Sequence, residues 1–212
     1  MLSLTTRLLS TQSAVRTTRC RVLVPFATGS EDVELSAITD TLRRAEIDVT
    51  LASIETNVTS IMLSRGLSVI PDVKGLNTLV NTSFDAIVIP GGVVGATMLS
   101  SDSSLLQLLK NNRGILGAIC ASPAIVLAHH GLLSGKTNVT CYPSFADKMP
   151  VKISNDSVTV DGKLITSQGP ATAILFSLQV VAALSGFDVA EKVGIGMLVE
   201  QVELDKIKRR MK

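Results

Sequence analysis

Cys120 is the residue whose surroundings most clearly suggest chemistry. It directly follows the short apolar run Ile115–Ile119 and precedes Ala121-Ser122-Pro123, a helix opening that continues through His130. A cysteine between a buried strand and a helix start faces free N–H groups that favour negative charge. The thiolate is the nucleophile, and an unperturbed thiol with a pKa of about 8.5 is only about 3% ionised at pH 7. A strand-turn-helix also turns the side chain out of the sheet into the crevice at the strand ends. Ala118 and Ser122 are small, as such an elbow requires. The competing reading is a buried structural cysteine, since free cysteine is among the most buried residue types.

Two further segments can meet that thiol. Ile87-Val88-Ile89 runs into Pro90-Gly91-Gly92, where missing side chains let backbone amides approach a ligand. The amides of Gly92 and Ala121 form a candidate oxyanion pocket, with Gly91 supporting it. Glu34, in Gly29-Ser30-Glu31-Asp32-Val33-Glu34, follows the first strand and can reach the same crevice. A plain turn and a helix-capping glutamate are the ordinary alternatives.

The elements that must position these residues alternate in type. Strands are expected at 21–26, 47–53, 84–89, 115–119, 139–142 and 164–167, with a less clear one at 67–70. A hairpin around Asn155-Asp156 should join 151–153 to 157–160. Helices are expected over 33–45, over 103–112 with Asp102 as N-cap, from Pro170 to Ser185, and over 189–203. This alternation predicts an α/β fold, a doubly wound, mainly parallel sheet sandwiched by helices. Residues 21–212 read as one domain.

Composition narrows the classes. Of the 212 residues 46% are apolar and 3% aromatic, which suits a sheet covered on both faces. A formal charge of +2 gives no footing for a nucleic-acid partner. No apolar run reaches the roughly 18–20 residues of a membrane span. The three cysteines are odd in number and widely spaced, and His129 and His130 are adjacent, so neither a disulfide framework nor a metal site is expected. Residues 1–20 carry Arg7, Arg16 and Arg19, many hydroxyls and no acid, the composition of a mitochondrial transit peptide. Mitochondrial import is the expectation, with the cytoplasm the alternative.

The order of these segments resembles the ThiJ/PfpI superfamily, and within it the DJ-one branch of deglycases and glyoxalases. The resemblance rests on Gly29–Glu34, Val88–Gly92, Ala118–Pro123, Asp147-Lys148-Met149 and Leu164–Pro170, and covers nearly everything after residue 20. It implies a flavodoxin-like homodimer in which Cys120 is the reactive cysteine and Glu34 the carboxyl bonded to its sulfur. Gly92 and Ala121 would be the amide pair. It implies glyoxalase activity on methylglyoxal and glyoxal without a cofactor, a D-lactate dehydratase type of hydro-lyase, and repair of glycated protein groups. The rival implication is non-enzymatic: a redox sensor or chaperone whose Cys120 oxidises to sulfinate. Tyr142 stands where many members carry a histidine, and a phenol with a pKa of about 10 is a poor base at pH 7. The protease branch has a histidine after its cysteine; Ala121 here disfavours peptidase activity. His129 and His130 are read as helix-end packing, Cys141 as a buried thiol, and Arg44 and Arg65 as solvated.

Overall fold

The computed structural model describes residues 19–211. The leader expected over residues 1–20 therefore lies, up to Thr18, outside the described residues.

The chain opens with β1 (Arg21–Phe26), whose last five residues are all buried. Glu31 caps α1 (Asp32–Arg44), accepting the Glu34 amide on its side chain. Then come β2 (Asp48–Ser53), the two-residue strands β3 (Ile61–Met62) and β4 (Ser68–Val69), β5 (Val73–Lys74) and β6 (Ala86–Ile89). After β6 follow α2 (Val93–Ser101), α3 (Ser103–Asn111) and β7 (Ile115–Ile119). A hairpin of β8 (Val158–Asp161) and β9 (Leu164–Ser167) precedes α4 (Ala173–Ser185), α5 (Phe187–Gly196) and α6 (Gln201–Arg210).

Seven strands form one sheet in the order β5-β2-β1-β6-β7-β9-β8. All pairs are parallel except β8 with β9. The central strands β1, β6 and β7 are apolar because helices cover both faces, leaving no polar face to alternate with. Phe26, Ile87, Ile89, Leu99 and Phe176 are among the largest side chains in that core. This is the doubly wound α/β sandwich expected from the alternation of elements. Its crevice lies where β1, β6 and β7 end, and those three ends lead into Glu34, Gly91-Gly92 and Cys120.

Three local expectations are corrected. The segment 139–142 is not a strand: only Val139 forms a bridge, with Ile153. The Thr140 amide is taken by the Thr166 hydroxyl and the Tyr142 amide by the Cys120 carbonyl. The hairpin does not turn at Asn155-Asp156. It turns at Gly162-Lys163, where Gly162 takes the first loop position with a φ of 61°, as a two-residue hairpin with glycine first requires. The helix expected over 189–203 is two helices. The Val199 amide bonds back to Gly194 and Leu198 is left-handed at a φ of 61°, a helix-ending arrangement without the usual glycine. Finally, α2 has no sequence signal of its own. It is short and almost wholly apolar or small, so it shows no amphipathic period.

Among the described residues, no helix is long and apolar enough to cross a membrane.

Candidate active site

Glu34 sits on the first turn of α1 and is fully buried. Two reciprocal bonds hold it there. The Glu31 amide donates to the Gly91 carbonyl at 3.0 Å, and the Gly91 amide donates to Glu34 Oε2 at 2.7 Å. The other carboxyl oxygen, Oε1, has no hydrogen-bond partner. Burial pushes the Glu34 carboxyl up to about 7, against the downward pull of the Gly91 amide. A carboxylic acid poised near neutrality can hold or release a proton at little cost.

Cys120 directly follows β7 with a φ of 62°, a left-handed backbone that a non-glycine residue adopts at a cost of roughly 1–2 kcal/mol. The strain persists because the peptide groups around it are tied down. The Cys120 amide donates to the Ser167 carbonyl at 3.0 Å, and its carbonyl accepts from the Tyr142 amide at 2.8 Å. Ser122 Oγ donates to the Pro90 carbonyl at 2.5 Å and so joins the cysteine turn to the glycine turn. The side chain is thereby turned out of the sheet, with 9% of the residue exposed.

Gly91 lies between the pair. A Cβ added there would stand 2.5 Å from Cys120 Cβ and 2.7 Å from Glu34 Oε2, so only glycine lets thiol and carboxyl approach each other across this backbone. Gly92 has a φ of 86°, and a Cβ there would overlap the Gly29 carbonyl. Both the conformation and the close approach demand glycine.

The electrostatics correct one expectation. The helix after Cys120 is a six-residue π-helix, Pro123–Ala128, closed by the His129 amide on the Ala124 carbonyl. A long helix dipole is absent, and the thiol is not depressed. Burial, and next an ionised Glu34, push it up to about 12. The Gly92 and Ala121 amides pull the other way. Thiol and carboxyl thus share one proton between about pH 7 and 12. With that proton on Glu34, the carboxyl turns from a repelling charge into a donor toward sulfur, and the two amides remain to hold the thiolate.

The structure therefore brings Cys120, Glu34, Gly91, Gly92 and Ala121 together. Tyr142 is 44% exposed, and its ring edge flanks Gly169. Cys141 is buried, and burial raises its thiol to about 11. His130 is engaged with Ser100 through Nε2, at 2.8 Å to the carbonyl and 3.0 Å to Oγ, while the His129 ring meets its edge. Arg44 pairs with Asp40 at 2.7 Å, and the Arg65 side chain is exposed. Ser122 and Gly169 are contributors that sequence reasoning assigned no role. Ser122 was legible only as a small residue before a helix-opening proline, and its partner Pro90 is 32 positions away.

Fold and site together define a flavodoxin-like α/β protein carrying a strained, elbow-borne cysteine beside a buried carboxyl. The sequence pattern of the DJ-1/PfpI family matches residues 20–183, and the chain belongs to that family. It is 40% identical over 170 residues to Protein DJ-1 homolog B of Arabidopsis thaliana, covering 78% of this chain but only 38% of that longer relative. It is 37% identical to Protein dj-1beta of Drosophila melanogaster, over 84% of this chain and 96% of that one. Glutathione-independent glyoxalase DJR-1.2 of Caenorhabditis elegans is 36% identical, over 74% of this chain and 84% of the relative. Among solved structures, oxidized Toxoplasma gondii DJ-1 matches with a TM-score of 0.80 and 38% identity, covering 84% of this chain and 98% of that one.

Proposed function

We propose that the protein is a cofactor-independent glyoxalase acting on methylglyoxal, glyoxal and their early adducts on protein groups. The observation that carries this reading is Glu34: buried, raised to about 7, fixed at Oε2 by the Gly91 amide and unpartnered at Oε1 beside Cys120. The named glyoxalase activity of the nematode relative supports it.

The chemistry follows from these groups. Cys120 sulfur adds to the aldehyde carbon; the carbonyl electron pair moves to oxygen, which takes the proton held by the pair. The product is a hemithioacetal whose developing oxyanion the Gly92 and Ala121 amides face. The Glu34 carboxylate then removes the C1 proton and returns it to C2, while the hydroxyl proton on the C1 oxygen passes to the C2 oxygen. C1 is oxidised to a thioester and C2 reduced to an alcohol, with no net redox change. Water cleaves the thioester, releasing lactate from methylglyoxal and restoring the thiol. Lactate formation by the wild type, with loss of at least about 100-fold in both Cys120→Ala and Glu34→Gln, tests this. Equal rates in all three proteins overturn it.

A second reading has its own support: oxidation of Cys120 to sulfinate, whose oxygens the same amide pair would hold. The match to an oxidized relative favours it. We propose that the two roles share one site. A homodimer is proposed on the exposed Val33, Leu67 and Ile174, which line one cleft with Ala37 and Met197; sedimentation equilibrium tests it. Mitochondrial import is proposed on residues 1–20, and the N-terminus of the mature protein from cells tests that.

A further inference from the structure

Tyr142 is the only tyrosine in a chain without tryptophan. Its backbone is held at both sides. Its amide donates to the Cys120 carbonyl at 2.8 Å, and its carbonyl accepts from the Phe145 amide at 2.9 Å. Pro143 follows and opens a short 3-10 turn, which further restricts the chain. The backbone that carries the ring is thus tied to the cysteine turn itself.

Opposite the ring is Gly169. It is extended, its amide is bonded to Thr172 Oγ1 at 3.1 Å, and it stands at the start of the turn Pro170–Thr172. A Cβ at Gly169 would lie 3.3 Å from Tyr142 Cδ2, 3.7 Å from Cε2 and 4.0 Å from Glu34 Oε1. The tyrosine edge and the unpartnered carboxyl oxygen therefore flank the same small space, which exists because residue 169 lacks a side chain. Glu34 Oε1 is buried and has no hydrogen-bond partner, so an arriving substrate would supply the bond it lacks. Whatever meets it must share that space with the Tyr142 ring.

We propose that Tyr142 is the specificity-determining residue of this site, a size-selecting wall that admits two- and three-carbon α-oxoaldehydes and rejects those with bulky substituents. The passage beside Gly169 is narrow, since even a Cβ there would press on the ring at 3.3 Å; a small substituent on the second carbonyl needs little movement of the ring, and an aryl group must displace it. Discrimination of this steric kind is worth roughly 10–200-fold for small changes in size. The ring also explains how so exposed a residue stands beside so buried a pair. It is the boundary between solvent and the Cys120–Glu34 crevice. The inference rests on the aldehyde reading for its substrate class, while the steric claim concerns access to Cys120 alone.

The test separates the two. Rates of Cys120 labelling by iodoacetamide and by N-naphthyl iodoacetamide are read by peptide mass at residue 120. Wild type is expected to favour the small reagent. Tyr142→Ala and Tyr142→Leu should raise the large-to-small rate ratio about tenfold, Tyr142→Phe should keep the wild-type ratio, and Gly169→Ala should lower it. The ratio of kcat/KM for phenylglyoxal to that for methylglyoxal should move the same way, chiefly through KM. Iodoacetamide labelling should also change the emission of the single tyrosine. A labelling ratio within twofold of wild type in both folded Tyr142→Ala and Tyr142→Leu overturns the proposal, as does unchanged emission. If no variant turns over aldehyde but the labelling ratio shifts, the catalytic reading fails and the wall stands.

Discussion

The Gly91 amide and Glu34 Oε2 are 2.7 Å apart across 57 positions of sequence, and with the return bond from the Glu31 amide to the Gly91 carbonyl they clasp α1 to the turn after β6. Each partner orients the other. The helix start presents the carboxyl, and the glycine peptide keeps one oxygen occupied so that the second is left for chemistry.

Replacing Gly91 with alanine breaks this clasp from inside. The new methyl would overlap Cys120 Cβ and Glu34 Oε2 at 2.5 and 2.7 Å, with the Ile119 carbonyl 3.0 Å away closing off the remaining room. Gly91→Ala should destabilise the fold by about 1–3 kcal/mol, as overpacking does. It should also abolish aldehyde turnover. Urea unfolding and a lactate assay on the same preparation check both.

The rate should depend on pH through the shared proton. Below about 7 both groups are protonated, and Cys120 is a thiol beside a neutral acid. Above about 7 the pair holds one proton and is competent. The expected kcat/KM profile is a single ascending limb with a midpoint near 7 and a plateau above it. Glu34→Gln should remove the limb as well as the activity, so iodoacetamide labelling of Cys120 is the better readout there.

The same carboxyl makes a stability prediction with a definite sign. Its folded pKa of about 7 lies above the ordinary value of 4.5, so folding favours the protonated form. Its contribution is complete below about 4.5 and is lost as pH rises through about 7. The loss is of the order of 3 kcal/mol. The melting temperature of Glu34→Gln relative to wild type should therefore rise between pH 4.5 and 7.5. A constant difference across that window contradicts the assignment.

Ser122 is buried and its hydroxyl is spent on the Pro90 carbonyl. Ser122→Ala should cost about 1–2 kcal/mol and loosen the cysteine turn. Denaturant titration gives the first number, and faster relaxation of the strained Cys120 backbone should show in its amide hydrogen exchange.

Mild peroxide should discriminate among the cysteines. Cys141 is buried with its thiol raised to about 11 and no amide pair to hold an anion. Cys120 has that pair. Intact mass followed by peptide mapping should place a two-oxygen adduct on Cys120 and leave Cys141 reduced.

Much of this was legible in the chain alone. The pattern of apolar runs and turns around 21–34, 84–92 and 115–123 was enough to expect β1, β6 and β7, the residues at their ends and a parallel sandwich, because buried parallel strands are nearly continuous apolar runs. Weak or borrowed signals failed. α2 is made of apolar and small residues with no amphipathic period, and 139–142 is strand-like in composition but gives its amides to a hydroxyl and to Cys120. The stop at Leu198 uses a residue, 91% exposed, that carries no helix-ending signature.

What the sequence by itself determined is which groups are available and at which kind of turn: a thiol at an elbow, a carboxyl on a helix start, a double glycine after a strand. These are local facts, written within a few residues. Only the tertiary structure decided how the groups act on one another. It buried Glu34 and so raised its carboxyl, set Gly91 between carboxyl and thiol, and replaced the expected helix dipole with two backbone amides at the sulfur. It also stood Tyr142 against Gly169. The physical reason is that desolvation and hydrogen bonding depend on what lies within a few ångströms in space, and here the neighbours come from segments tens of residues apart.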